Sequence, residues 1–72
     1  MSKSHVSVEM IDDRVMYSKP LWDDAAKELI AQMDSAANAA GRCVIVFPTP
    51  DRPRHLNMNH AVVWSMHPLA EN

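Results

Sequence analysis

A single glycine and a single cysteine stand in 72 residues, and each scarcity removes a class of chemistry. With Cys43 alone no intramolecular disulfide can form, so the chain has no covalent staple and a reducing, cytoplasmic setting is the natural reading. With Gly41 as the only glycine, neither a phosphate-cradling loop nor a nucleophile elbow can be built. No apolar run approaches the roughly 20 residues needed to cross a bilayer, and Met1 to His5 lacks the apolar stretch of a signal peptide, so no membrane partner is expected. Charge of one sign is scarce too. Seven basic and nine acidic side chains give a net charge of −2. Residues 1 to 40 carry four basic and seven acidic groups (−3), and residues 41 to 72 carry Arg42, Arg52 and Arg54 against Asp51 and Glu71 (+1). That is neither the basic stripe of a nucleic-acid binder nor the dense acidic face of a nucleic-acid mimic.

What is present is a chain of ordinary globular composition, 47% hydrophobic and 22% charged, sized for one small domain over residues 1 to 72. A chain of this length buries only about 60% of its unfolded surface, which favours dimerisation or docking on a partner.

Three periodicities organise the chain. His5 to Ile11 alternates with period two, putting Val6, Val8 and Met10 on one face of a strand. Asp12-Asp13-Arg14 offers turn chemistry, and Val15-Met16-Tyr17 can return as a short hairpin arm. From Ser18 the period becomes helical: Ser18 or Lys19 as N-cap, Pro20 in the first turn, and Trp22, Ala26, Leu29, Ile30, Met33, Ala37 and Ala40 along one stripe. This predicts a helix over about residues 20 to 40, closed by Gly41. Val44 to Phe47 is apolar on both strand faces and reads as a central strand covered on both sides. Pro48-Thr49-Pro50-Asp51-Arg52-Pro53-Arg54 reads as a stiff extended loop. His55 to Met66 alternates again, with Leu56, Met58, Val62, Trp64 and Met66 on the core side, or breaks at Asn57 and Asn59 to leave a shorter strand. Residues 67 to 72 read as a frayed tail. The expected fold is α+β: an antiparallel or mixed sheet of three to four strands, in the order β-(β)-α-β-β, with one helix on one face.

Four constellations could carry chemistry. His55, His60 and His67 with Cys43, joined by the thioethers of Met58 and Met66, have the donors of a transition-metal site, but intervals of five and seven residues fit no compact zinc signature. Asp12, Asp13, Asp23, Asp24, His60 and Ser65 are acid-base or nucleophile candidates without a catalytic motif, so no enzymatic activity and no cofactor are expected. Arg42, Arg52 and Arg54, with His55 beside them, present guanidinium forks suited to phosphates or carboxylates. A nucleic-acid surface would add aromatics for stacking, yet three of Tyr17, Trp22, Phe47 and Trp64 fall at expected core positions. The remaining reading is a protein-binding surface formed by Arg42, Pro50, Asp51, Arg52, Pro53, Arg54 and His55 with the sheet edges. The sequence therefore suggests a small accessory, regulatory or inhibitory factor of bacterial or phage type. It would dock sterically on a larger protein, with a homodimer, a nucleic-acid-binding module and a metal-binding protein as alternatives.

Overall fold

The computed structural model describes residues 2–38 and 43–69. It is an α+β fold, with six strands, one α-helix and one 3-10 turn among the described residues. The first strand, β1 (Lys3–Met10), organises the rest. Its alternation holds: Ser4, Val6, Val8 and Met10 are buried, while Lys3 and Glu9 are exposed. A three-residue loop, Ile11 to Asp13, turns the chain back, with Asp13 N–H on the Met10 carbonyl (3.0 Å) and Met10 N–H on the Arg14 carbonyl (2.8 Å). Its last residue, Asp13, has φ 70°, the left-handed conformation that closes such a loop. β2 (Val15–Tyr17) then pairs antiparallel to β1, with Met16 opposite Val8.

Ser18 and Lys19 do not cap a helix. Ser18 is fully buried: its N–H donates to the Val6 carbonyl, and its Oγ accepts the Val6 N–H at 2.8 Å, continuing the β1 ladder with a side chain where backbone would otherwise be needed. The chain then jogs through Pro20 and returns to the same edge of β1 as β3 (Leu21–Trp22). The helix, α1 (Asp23–Ala37), starts three residues later than its periodicity suggests. No side chain of the preceding residues caps it. The Asp23 carboxylate in its first turn instead accepts the hydroxyls of Ser2 and Ser4, pinning the helix to the start of β1. Trp22 thus sits in a strand, half exposed with the Lys3 ammonium 4.5 Å from its ring, and not on the helical stripe. Ala26, Leu29 and Met33 are the buried residues of that stripe. Ala40 and the expected cap Gly41 lie outside the described residues.

β4 (Val44–Pro48) and β5 (Pro53–Asn57) form a separate two-stranded hairpin. The run Val44 to Phe47 is therefore not a central strand covered on both sides. Ile45 and Phe47 face the core, and Val44 and Val46 stand 45% and 52% exposed. The proline-rich segment is correspondingly a hairpin turn with Pro48 opposite Pro53, and not an extended loop. Pro48 and Pro53 sit where the strands meet the turn, a place where a missing N–H breaks no ladder. Lys19 N–H donates to the Pro48 carbonyl (2.9 Å) and clips the hairpin to the rest, while Met58 N–H to the Cys43 carbonyl (2.9 Å) closes the hairpin's own open end.

The break at the asparagines is real: the Asn57 side chain accepts Asn59 N–H and starts the 3-10 turn Met58–His60. β6 (Ala61–Pro68) follows, antiparallel to β1 on the side opposite β2 and β3. Strict alternation pairs Met10 with Val62, but the register shifts after Glu9 and Met10 faces Ala61. Val62 is the extra residue of a bulge and stands 56% exposed, outside the core where the alternation placed it. His67 and Pro68 belong to β6, and Leu69 N–H donates to the Lys3 carbonyl, so regular pairing runs into the segment read as a tail. The core lies between β1, α1 and the inner face of the hairpin, with Phe47 and Met33 its largest fully buried side chains.

Truncating Phe47, which is 0% exposed, removes the hairpin's anchor. Phe47→Ala is expected to lower the unfolding free energy by about 3 to 5 kcal/mol, against less than about 1 kcal/mol for Val46→Ala on the exposed face, both read from urea midpoints. At the β1–β2 loop, Asp13→Gly is expected to stabilise by roughly 0.5 to 1 kcal/mol and Asp13→Val to destabilise by more than that, since only the first accepts the positive φ without a Cβ clash.

Candidate functional site

The hairpin turn is held by one side chain. Thr49, 9% exposed, accepts Arg52 N–H on its Oγ1 (3.3 Å). Its single hydroxyl proton faces two acceptors, Asp51 Oδ1 at 2.6 Å and the Arg52 carbonyl. Asp51 Oδ2 in turn holds Arg54 Nη2 at 3.3 Å. The Thr49 hydroxyl is the largest influence on the Asp51 carboxyl, followed by the backbone N–H groups at the turn and the Arg54 charge. Together they lower its pKa from 3.8 to about 2. Asp51 is thus an anchor of the turn and stays ionised.

This turn directs Arg52, Pro53, Arg54 and His55 into an open cleft of about 700 Å³ between β5 and β2. The opposite wall is Arg14 and Met16, with Leu56 at the base. Arg14 is oriented by Asp12, whose Oδ2 lies 2.6 Å from its Nε, while Asp12 Oδ1 accepts Arg14 N–H in a local turn. Both ion pairs are solvent-exposed, so they orient the guanidinium groups more than they stabilise the fold. Three arginines against two carboxylates leave a local excess of one positive charge, and among the described residues Arg52 is in no ion pair.

Of the residues singled out in the sequence, Arg52, Pro53, Arg54 and His55 come together here. Pro50 and Asp51 sit at the exposed tip of the turn, with Asp51 reaching back to Arg54, and Arg42 lies outside the described residues. Arg14 and Met16 were missed. Their segment reads as a turn and a strand, and no periodicity reports that β2 will face β5 across a gap.

The other constellations are dispersed. Cys43 is buried with its thiol toward Asn57 Oδ1 (3.5 Å); His55 flanks the cleft, and the His60 carbonyl accepts Ile11 N–H at the 3-10 turn. Among the described residues no three His, Cys, Asp or Glu side chains converge on a point. Asp12 and Asp23 are engaged as above, Asp12 by Arg14 and Asp23 by two serines that lower its carboxyl pKa. Ser65 belongs to a small polar patch on the outer face of the sheet, where His67 Nε2 lies 2.8 Å from Ser7 Oγ and 3.1 Å from Ser65 Oγ. No carboxylate orients that imidazole among the described residues. Also among the described residues, no helix is long and apolar enough to cross a membrane.

Because the folded-state value of Asp51 lies below its ordinary one, the stabilisation it lends the turn is complete above about pH 4 and fades as pH falls toward 2. A carboxyl titration followed by NMR is expected to show a midpoint near the lowered value, moving up toward 3.8 in Thr49→Val. Compared with family models, curated proteins and solved structures, the chain matches none.

Proposed function

We propose that this protein is a small non-enzymatic binding module that docks on a larger protein through the arginine-lined cleft and the rigid turn beside it. The observation that carries this reading is that two separate hairpins bring three arginines and a histidine to one cleft over an apolar base. Guanidinium forks held by neighbouring carboxylates lose little side-chain freedom on docking, and a short turn fixed by Thr49 loses little backbone freedom. The ligand chemistry that fits is a carboxylate-bearing surface flanked by an apolar side chain: the acid for Arg52, the apolar group for Met16 and Leu56. A nucleic-acid partner fits less well, because two of the three cleft arginines already face carboxylates and, among the described residues, the cleft is lined by no Phe, Tyr or Trp to stack a base. The action is steric occupation of the partner's surface, as an accessory, regulatory or inhibitory factor of the cytoplasm.

The test compares wild-type protein with the Arg52→Ala/Arg54→Ala double variant, each immobilised and exposed to nuclease-treated lysate of its own host cell. Wild type is expected to retain a discrete protein that the double variant retains at least roughly tenfold less, with the circular dichroism of the two proteins unchanged. Equal recovery by both overturns the assignment of the cleft. Recovery that depends on nucleic acid, with a steep salt response, overturns the protein-partner reading.

A further inference from the structure

One edge of the main sheet is long and open. The opposite edge is broken into β2 and β3, three and two residues long. β6 is eight residues long, carries no Lys, Arg, Asp or Glu, and pairs with β1 on one side and with no other described strand on the other. Natural sheet edges are guarded by charges, prolines or bulges. Here the Val62 bulge guards the beginning and Pro68 the end, which leaves Val63 to His67 regular and unguarded. On the core side of this stretch Trp64 and Met66 are only half buried, whereas Val8 and Val6, their partners on β1, are 0% exposed. The sheet stops one strand short of covering its own core.

We infer that a second copy of this chain takes this edge, β6 against β6, antiparallel about a two-fold axis through Ser65. That register puts Ser65 opposite itself on the outer face. On the core face it brings each half-buried Trp64 against Met66 of the other copy, a contact between a soft thioether and an aromatic edge. Val63 meets His67 on the outer face. Self-pairing is singled out because a strand without charge meets its own copy with no like-charged residues opposed, and because the two half-exposed core-side residues complement each other only about this axis. The Trp64 ring is already ordered, its indole N–H donating to Asp34 Oδ1 at 2.8 Å, so pairing adds little ordering cost. The inference is independent of the arginine cleft, which lies by β2 on the other edge of the sheet and stays open in both copies.

Sedimentation of the full chain from low to high micromolar concentration is expected to give twice the 8.1 kDa chain mass. Val63→Lys, at a position 52% exposed, places a charge on the edge and is expected to weaken the dimer by roughly tenfold or more without changing the circular dichroism. Mild oxidation is expected to cross-link Ser65→Cys into a covalent dimer and to leave Val63→Cys largely monomeric, since only the first lies on the axis. A chain that sediments as a monomer throughout overturns the inference. So does a dimer indifferent to Val63→Lys, and preferential cross-linking through Val63→Cys overturns the register. Should Ser65→Cys fold poorly, the mass and the Val63→Lys shift still decide whether this edge is the interface.

Discussion

The hydroxyl of Ser18 holds a position on which the rest of the molecule depends. Buried beside β1, Ser18 exchanges two hydrogen bonds with the backbone of Val6, one through its N–H and one through its Oγ. The same Oγ donates to the Lys19 carbonyl at 2.8 Å, and the Ser18 carbonyl accepts Nδ1–H of His5 at 2.7 Å. Every polar group it brings into the interior is thereby answered, the condition for burying a serine at modest cost. The chain can then leave the sheet after Tyr17 and rejoin it at Leu21 without opening a gap in the β1 ladder. Helix, sheet and hairpin take their relative positions from the few residues that follow: Lys19 N–H fixes the end of β4, and Asp23 fixes the start of α1.

The binding cleft is a by-product of that arrangement. The β4–β5 hairpin does not extend the main sheet; it turns its Ile45, Phe47 and Leu56 face inward to finish the core that one helix alone leaves open. Its proline-bounded turn consequently stands beside β2 across a gap, not hydrogen-bonded to it, and the gap is lined by whatever the two hairpins carry there. Both hairpins carry an aspartate two or three residues before an arginine, Asp12 before Arg14 and Asp51 before Arg54, and each pair orients its guanidinium locally. The cleft is thus assembled from two self-contained units, and its charge pattern is set by local sequence even though its shape is not.

Much of this was legible in the sequence because it rests on local periodicity. The buried faces of β1, of α1 and of Leu56 and Met58 follow directly from spacing, as do the β1–β2 hairpin and the α+β class. The departures come from tertiary hydrogen bonds that periodicity does not encode. Pro20 and the acidic pair after Trp22 look like a helix start, but Ser18 is worth more to β1 than to a helix N-terminus, so the helix begins where Asp23 can reach Ser2 and Ser4. A run of four apolar residues looks covered on both faces, yet the pairing of Val44 with Asn57 and of Val46 with His55 shows a half-polar outer face. Val62 breaks a regular alternation because one bulge sets Ala61, and not Val62, opposite Met10. At the candidate site, Arg52 to His55 were visible as a dense local cluster, while Arg14 belongs to it only through the placement of β2 against β5.

The adjacency of β1 and β6 also sets how the domain meets mechanical load. Ser4 lies opposite Pro68, and Leu69 N–H is bonded to the Lys3 carbonyl at 3.0 Å, so the two ends of the described chain emerge side by side from one end of a single antiparallel ladder. Tension applied through those ends acts along the ladder's own hydrogen bonds, which run perpendicular to antiparallel strands, and loads them one after another from the Lys3–Leu69 end. The ladder then opens like a zip, where strands pulled past one another would break all their bonds together. The layer that closes the core against water is for this reason also the first to yield to a pull.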